Sequence, residues 1–364
     1  MTKPVKAAAH WNDDAAAAGP LAGVRVVDLT ELLPGPFLTQ SLVDMGADVL
    51  KVERPPHGDN ARRLAPGLFG ALNRGKRSIF RDLKDAGDLA AVHEAIGGAD
   101  VLIESYRPGV MRRLGLDYDH LRERCPRLIY LSLTGFGQEG PHADLPGHDI
   151  NYLAAAGALS LTGAPGGPPQ PQSMLPIADL AGASTALSAL LAALYQRTAS
   201  GQGQYLDVSL VDSVLHWMTP RLGLFRQKGA TTPDTQRAML CDKPAYGVFR
   251  CKDGRCLTIA ALEEHFWRGL NAELRLFAAD DPRCADHVAR STHAGLINAR
   301  LAACVAEQDA DALMARLAAA GLPVFPVLDT AQAMAEAQAR SGARLAETPE
   351  GCLPGFPVHL HGMA

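Results

Sequence analysis

Short β-branched runs alternate with helix-like segments over the first third of the chain, and this alternation is the strongest constraint on the fold. Runs typical of strands occur at 24–29, 47–53, 77–83, 99–106 and 127–137. Helix-like segments separate them, such as FLTQSLVDMG, which ends at a glycine. Strands that alternate with helices at this spacing indicate parallel βαβ units.

The fold class is therefore predicted to be α/β, with a Rossmann-like parallel sheet in a large domain and a smaller α+β domain after it. In the second part of the chain, DG at 253–254 lies between two apolar runs and predicts a hairpin. GLPVFPVLD (321–329) predicts an edge strand because of its prolines. We predict a disordered leader over 1–19, a large domain over 20–220, an irregular linker over 221–244, a small domain over 245–320, and a segment over 321–364 that returns towards the large domain.

Composition disfavours several classes of partner. The chain has 364 residues, a net charge of −4 and no long basic run, so nucleic acid is not an expected partner. No run of eighteen apolar residues occurs, so we predict no membrane span, and the apolar stretch 180–195 is typical of a buried helix. The 7 cysteines form no C-x-x-C pair, and the first residues lack the apolar core of a signal peptide. A cytoplasmic location is expected.

Basic residues follow several predicted strands. NRGKRSI (73–79) groups Arg74, Lys76 and Arg77 around a glycine, a pattern that could hold a phosphate. Cations also lie within or just beyond three different strands, at Arg54, Arg81 and Arg107. Because the carboxyl ends of parallel strands gather at one edge of the sheet, these cations either hold a phosphate-rich ligand there or are solvated surface charges. No G-x-G-x-x-G or Walker motif is present, which disfavours a dinucleotide or P-loop site.

Three further positions carry groups that could transfer protons. GHDINY (147–152) places His148 beside Asp149 after a turn, and no metal-ligand spacing accompanies it, so no metal site is predicted. Asp179 opens a long helix, either as a plain N-cap or, because small residues follow it, at a position that a ligand can approach. Glu263 ends a strand of the small domain and could simply cap the next helix.

Taken together, these segments resemble the family III CoA-transferase (CaiB/BaiF) superfamily, and within it the α-methylacyl-CoA racemases. The resemblance covers about residues 20 to 330. It rests on segments that occur in the family's order and spacing: LAGVRVVDL, GADVLKVERP, NRGKRSI, ADVLIESYRPGVMRRLGLDYD, LTGFGQEGP, GHDINY and SGQGQYLDVSLVD.

The resemblance implies a racemase that interconverts (R)- and (S)-2-methylacyl-CoA thioesters by 1,1-proton transfer through an enolate. It implies that His148 and Asp179 are the acid/base pair, that Glu263 orients the histidine, and that the enzyme is an interlocked homodimer. No cofactor is implied, because coenzyme A is part of the substrate. The implied contacts with the acyl-CoA are Arg54, Arg81, Asp82, Leu83, Lys84, Ser105, Tyr106, Arg107, Arg113, Gly147, Asp149, Ile150, Asn151 and Tyr152.

Elementary acid–base chemistry agrees with these implied roles. A proton next to a thioester carbonyl is weakly acidic, so inversion needs a base on one face and an acid on the other. Neutral His148 can accept a proton while protonated Asp179 supplies one, provided that burial raises the pKa of Asp179. The enolate oxygen also needs fixed donors, which we expect from backbone N–H groups near Asp179.

Two other functions remain open at the level of sequence. In a CoA-transferase, Asp179 would attack an acyl-CoA to form an aspartyl anhydride intermediate, and His148 would not be needed. A non-catalytic acyl-CoA-binding protein would need neither residue. CDKPAYGVF (241–249) differs from the pattern of well-matched racemases, so the acyl group is left open.

Overall fold

The computed structural model describes residue 11 and residues 19–171, 175–241, 243–340, 344–348 and 351–358. Apart from Trp11 and Gly19, the predicted leader over 1–19 lies outside the described residues. The elements of the first part are β1 (Arg25–Leu29), α1 (Pro34–Asp44), β2 (Asp48–Glu53), α2 (Ala61–Leu64), α3 (Pro66–Asn73), β3 (Arg77–Phe80), α4 (Ala86–Gly97), β4 (Val101–Glu104), α5 (Val110–Arg113), α6 (Tyr118–Leu121), β5 (Ile129–Thr134), α7 (Asp149–Ala155), α8 (Ile177–Ser200), β6 (Tyr205–Ser209) and α9 (Leu210–Lys228).

The remaining elements are α10 (Pro233–Cys241), β7 (Tyr246–Arg250), β8 (Cys256–Ala260), α11 (Glu264–Leu274), α12 (His287–Thr292), α13 (Ala294–Ala306), α14 (Ala310–Ala319), β9 (Val324–Pro326), α15 (Thr330–Ala339), β10 (Leu345–Thr348) and β11 (Gly351–Pro354). Short 3-10 helices occur at Ala158–Leu161 and Pro282–Cys284.

The chain divides into two compact units. One contains residues 1–162, 169–224 and 342–364, and the other contains 163–168 and 225–341. The irregular linker predicted over 221–244 is wrong, because α9 continues to Lys228 and α10 follows it. Pro220 lies inside α9, where it removes one backbone hydrogen bond without ending the helix, and Pro233 opens α10, where its missing N–H has no cost.

The larger unit is built on the predicted parallel sheet. In the described part of the chain, six strands pair in the order β3-β2-β1-β4-β5-β6, and every neighbouring pair is parallel. This confirms the α/β, Rossmann-like prediction. The order reverses between β1 and β4, and ligands of such sheets bind at the carboxyl ends of strands next to this reversal.

Alternate strand residues cover the two faces of the sheet, so both faces are apolar. Val26, Val101 and Leu131 join the cluster that includes α1 and α8. Leu102 and Tyr130 belong to the cluster on the other face, which includes α4. Helices on both faces leave only the strand ends open to a ligand.

Helix α8 carries Asp179 in its first turn. It has 24 residues, and its most apolar 18-residue stretch has a mean hydropathy of 1.7, so by length and composition alone it could cross a membrane, which was not predicted from the sequence. Ala181, Ala186 and Leu190 are nevertheless fully buried in the core of the larger unit. This burial is the behaviour expected of the core helix of a folded domain.

The smaller unit contains an antiparallel sheet in the order β7-β8-β9. The predicted hairpin is confirmed as β7 and β8, and Gly254 in its turn has a φ of 83°, which favours glycine. The predicted edge strand is confirmed as β9. Helices α11, α13 and α14 cover the sheet through a core that includes Trp267, Ile297 and Leu313.

Candidate functional site

A cavity of about 580 Å³ lies at the carboxyl edge of the parallel sheet, next to the reversal of strand order. Its wall is formed by the segments that follow β1, β4 and β5, by the loop before α7, and by the first turns of α7 and α8. The lining residues are Glu31, Leu32, Leu33, Pro34, Ser105, Tyr106, Arg107, Pro108, Leu133, Thr134, Gly135, Ala143, Leu145, Pro146, Gly147, His148, Asn151, Tyr152, Asp179 and Leu210.

Asp179 lies half-buried in the first turn of α8. The N-cap residue, Pro176, makes no side-chain cap. Asp149 supplies the cap from a distant part of the sequence, because its Oδ1 accepts the N–H of Ala178 at 2.7 Å and that of Asp179 at 3.2 Å. The interpretation of Asp179 as a plain N-cap is therefore wrong, and the carboxylate of Asp179 stays available to the cavity.

The environment of Asp179 changes its acidity. Burial, and then the negative charge of Asp149, raise the pKa of Asp179 from 3.8 to about 7. Protonated and ionised forms are therefore comparably populated near neutral pH. A carboxyl group in this state can either donate or accept a proton.

His148 occupies the N-cap position of the short helix α7 and is exposed. Asn151 fixes the backbone there, because its Oδ1 accepts the N–H of His148 at 3.0 Å. Asn151 therefore stabilises its own loop, whereas Asp149 binds the start of α8.

The side chain of Tyr152 stabilises the GHDINY loop, to which it also belongs. The side chain is buried, and its hydroxyl donates to the carbonyl of Gly147 at 2.7 Å. A Cβ atom at Gly147 would lie 2.7 Å from the Tyr152 ring, and one at Gly135 only 2.3 Å from it. The two glycines therefore leave room for the ring of the tyrosine.

Two expectations about the start of α8 are wrong. The N–H groups of Ala178 and Asp179 both donate to Asp149, so neither is free to bind an enolate oxygen. The small residues after Asp179 serve packing rather than ligand approach, since a Cβ at Gly182 would lie 2.0 Å from the Leu210 side chain.

The NRGKRSI segment does not form the phosphate cradle that we considered. Lys76 is fully buried, and its Nζ donates to Thr39 Oγ1 at 2.7 Å and lies 3.4 Å from Asp28 Oδ2. The flanking arginines form ion pairs with Asp44 and Asp48, at 2.6 Å for Arg74 and 2.9 Å for Arg77. These cations stabilise the fold.

A second buried cation, Lys51, organises the loop after β1. Its Nζ donates to the carbonyl of Thr30 at 2.7 Å and pairs with Asp59 Oδ2 at 3.0 Å. Burial alone would raise the pKa of Asp28, but Lys51 and Lys76, together with hydrogen bonds from Thr30 and Thr39, outweigh it and lower that pKa to about 2. The charges are therefore compensated inside the core.

This buried network supports a backbone conformation that is unusual for a leucine. Leu32 has a φ of 66°, and its N–H donates to Asp59 Oδ1 at 3.0 Å. Non-glycine residues in this region are strained and often occur at functional sites. The sequence reading missed this loop, and LLPGP at 32–36, with two prolines around a glycine, was the signal that could have found it.

The predicted acyl-CoA contacts do not all lie in one place. Six of them line the cavity together: Ser105, Tyr106, Arg107, Gly147, Asn151 and Tyr152. Arg54, Lys84, Arg113 and Ile150 are exposed elsewhere, off the cavity wall.

The loop after β3 is held by its own side chains. Arg81 is buried, lies 3.8 Å from Asp88 and donates to the carbonyl of Phe80 at 2.8 Å. Asp82 accepts the N–H of Lys84 at 3.0 Å, and Leu83 packs on the core. In this loop only Lys84 is exposed enough to meet a phosphate.

Glu263 lies in the smaller unit, where it is exposed and occupies the N-cap position of α11. The loop around it is fixed by Arg290, which is buried and donates to Glu264 at 2.7 Å and to the carbonyl of Leu262 at 3.5 Å. In the described residues no group of three or more His, Cys, Asp or Glu side chains could hold a metal ion.

Comparison with known proteins places this arrangement in a family. The sequence pattern of CoA-transferase family III matches residues 21–363. The acetyl-CoA:oxalate CoA-transferase of Acetobacter aceti is 35% identical over 94% of this chain and 90% of its own length. The α-methylacyl-CoA racemase of Homo sapiens is 37% identical over 72% of this chain and 66% of its own.

A solved structure agrees with the sequence comparisons. A CaiB/BaiF family protein from Brucella suis superposes with a TM-score of 0.83 at 31% identity, over 94% of this chain and 93% of that one. The match spans both units. The chain therefore belongs to CoA-transferase family III, the superfamily that its sequence segments resemble.

Proposed function

We propose that this protein is an acyl-CoA racemase that inverts the α-carbon of 2-methylacyl-CoA thioesters by 1,1-proton transfer. It uses no cofactor, because coenzyme A is part of the substrate, and it acts in the cytoplasm as a homodimer. The observation that carries the proposal is the position of His148 and Asp179 on one cavity, with the pKa of Asp179 raised to about 7.

His148 and Asp179 suit a reaction in which one of the two groups is protonated and acts as the acid while the other is deprotonated and acts as the base. In one direction neutral His148 removes the α-proton and protonated Asp179 delivers a proton to the other face. In the reverse direction the carboxylate is the base and the imidazolium is the acid. A carboxyl group of ordinary pKa would be almost fully ionised at pH 7 and could not act as the acid.

The lining of the cavity favours an apolar acyl group. Leucines from several segments face it, at positions 32, 33, 133, 145 and 210. Two of the charged residues on the same wall, Glu31 and Asp179, are acidic groups that would oppose a second carboxylate on the acyl chain. Glu263 is proposed to orient the imidazole of His148, as an acidic neighbour does for other catalytic histidines.

Proton exchange tests the proposal directly. The protein is incubated in D₂O with one epimer of a 2-methylacyl-CoA, without any acceptor acid, and the α-hydrogen is followed by NMR. We expect loss of the α-proton signal and formation of the other epimer. His148→Ala should slow exchange by roughly 10²–10⁴, the usual contribution of one general acid–base group.

A matched control is available in the same region. His142 lies in the turn before GHDINY, is exposed, and does not line the cavity. His142→Ala should exchange at the wild-type rate. No exchange by the wild-type protein with several acyl chains would refute the racemase proposal, and equal rates for His148→Ala and wild type would refute the role of that histidine.

A CoA-transferase is the second candidate, and the similarity to the Acetobacter aceti oxalate enzyme over nearly the whole chain favours it. In that reaction the carboxylate of Asp179 attacks the thioester carbon, expels CoA as its thiolate and forms an anhydride. Transfer of CoA to an added free acid, by both wild type and His148→Ala, would support it. Thioester binding without either reaction would indicate a non-catalytic acyl-CoA-binding protein.

A further inference from the structure

Glu104, the last residue of β4, is buried beneath the loop that carries Ser105, Tyr106 and Arg107. Its exposed fraction is 2%. Oε2 accepts the backbone N–H of Tyr106 at 2.7 Å, and Oε1 accepts the hydroxyl of Ser132. The carboxylate therefore fixes the backbone direction where the strand ends and the cavity wall begins.

The partners of Glu104 form a chain of hydrogen bonds across three neighbouring strands. Ser132 on β5 is the register partner of Glu104 on β4. Tyr205 on β6 donates its hydroxyl to Ser132 Oγ at 3.2 Å, and Ser132 donates in turn to Glu104. With the Tyr106 N–H donating from the other side, every donor points towards the carboxylate, which suits its ionised form.

Glu104 also borders a second cavity of about 330 Å³, from which a proton can reach it. Arg107 lines this cavity as well as the larger one. The other titratable or charged groups on its wall come from every neighbouring element: Arg112, Asp117, Tyr118, Asp119, Tyr130, Glu139, Tyr205 and Asp207. These groups surround Glu104 with more acidic than basic side chains.

The surroundings make Glu104 titrate near neutral pH. Burial raises its pKa to about 7, and Asp207 adds to this effect. The hydrogen bonds from Ser132 and Tyr106 act in the opposite direction, because they favour the ionised form. The support of the Tyr106 loop therefore changes in strength within the physiological pH range.

We propose that Glu104 is a positioning residue for acyl-CoA binding, which holds the Tyr106 amide and thereby fixes Ser105, Tyr106 and Arg107 on the wall of the candidate active site. The inference rests on the proposed function for the identity of the ligand. Protonation of Glu104 weakens the hold on the loop and lowers the affinity for the ligand.

The first test is the dissociation constant of free coenzyme A at pH 5.5 and pH 8.5. Glu104→Gln keeps the shape and an acceptor for Tyr106 but loses the charge. We expect the ratio of variant to wild-type Kd to be near 1 at pH 5.5, where Glu104 is protonated and resembles glutamine. At pH 8.5 we expect a ratio of about 10, because an ionised acceptor makes such a hydrogen bond roughly 1.4 kcal/mol more stable than a neutral one. The ratio cancels the titration of coenzyme A itself.

A neighbouring carboxyl provides the matched control. Glu139→Gln removes an exposed acid from the same second cavity and should leave the ratio near 1 at both pH values. A ratio for Glu104→Gln that is the same at both pH values would overturn the inference, because a purely structural role has no reason to follow this titration.

The second test needs no ligand. Hydrogen–deuterium exchange of the free protein reports on the Tyr106 amide, which should exchange about tenfold faster in Glu104→Gln than in wild type at pH 8.5. In Ser132→Ala, protection of the Tyr106 amide should appear at a higher pH than in wild type. The hydroxyl of Ser132 favours the ionised form of Glu104, so its loss raises the pKa of Glu104. If the wild type binds no coenzyme A, the proposed function fails, while unchanged exchange in both variants would separately overturn the role of Glu104.

Discussion

Replacing Asp149 with asparagine separates two effects that this side chain has on Asp179. Asparagine and aspartate cap helices equally well, so the amide oxygen can still accept the N–H groups of Ala178 and Asp179. The negative charge is lost, however. The pKa of Asp179 should fall, because a nearby negative charge disfavours ionisation of a carboxyl group.

The expected decrease in the pKa of Asp179 can be worked out from the two causes that raise it. The pKa of Asp179 rises from 3.8 to about 7, and burial is the larger of the two causes. The whole rise corresponds to about 4 kcal/mol at roughly 1.4 kcal/mol per unit, so Asp149 accounts for less than half of it. We expect Asp149→Asn to lower the pKa of Asp179 by about one unit.

Unfolding free energies measured in urea between pH 5 and pH 8.5 test this value without any substrate. The raised pKa means that the contribution of Asp179 to stability is fully present below its unfolded pKa and is lost as the pH rises through about 7. Wild type should therefore become less stable than Asp179→Asn as the pH rises. In the Asp149→Asn background the loss should end about one pH unit lower, and its total should be about 1.4 kcal/mol smaller.

Asp149→Ala is the control that reports on the capping of the N-terminus of α8 by this side chain. It removes both the charge and the acceptor, so it should also cost about 1 kcal/mol of stability that does not depend on pH. If the size of the pH-dependent loss, and the pH at which it ends, are the same with and without the charge of Asp149, the electrostatic argument is wrong and burial alone sets the acidity of Asp179.

Three further changes test other parts of the description. Lys76→Met should lower the free energy of unfolding by about 3–5 kcal/mol, because it removes the ion-pair partner of the buried Asp28 carboxylate, yet the folded protein should bind coenzyme A as wild type does in calorimetry. Weaker coenzyme A binding by the folded variant would restore the phosphate interpretation of NRGKRSI. Arg54→Ala should raise the Kd of coenzyme A roughly tenfold at low salt, whereas Arg74→Ala, which loses an ion pair to Asp44, should not; equal effects would argue against a specific phosphate contact. Glu263→Gln should slow α-proton exchange by about 10² with little change in KM, and an unchanged rate would remove it from the reaction.

The parallel sheet could be predicted because its information is local. Each strand is a β-branched run bounded by glycine or proline, and the right-handed crossover rule limits the arrangements. The helices over 221–241 were missed because Pro220 and Gly223 are poor helix formers, and only tertiary packing keeps α9 continuous.

The roles of charged residues were harder to predict, because their partners are far away in the sequence. Lys76 contacts Asp28 and Thr39, which are 48 and 37 residues distant. Nothing in RGKR shows that the lysine is buried. Asp149 likewise meets its partner 29 residues later, at Ala178, so its capping role depended on a contact that no local pattern contains.

The bond between Asp149 and the start of α8 has a consequence for how such a protein can diverge. His148 is adjacent to Asp149 in sequence, and Asp179 is one of the two residues whose N–H groups Asp149 binds. The spacing of the two groups that are proposed to transfer protons is therefore set by one side chain and not by the chain that connects them. Insertions or deletions between α7 and α8 would leave this contact intact, so the connecting segment can diverge in length and sequence while His148 and Asp179 stay in register.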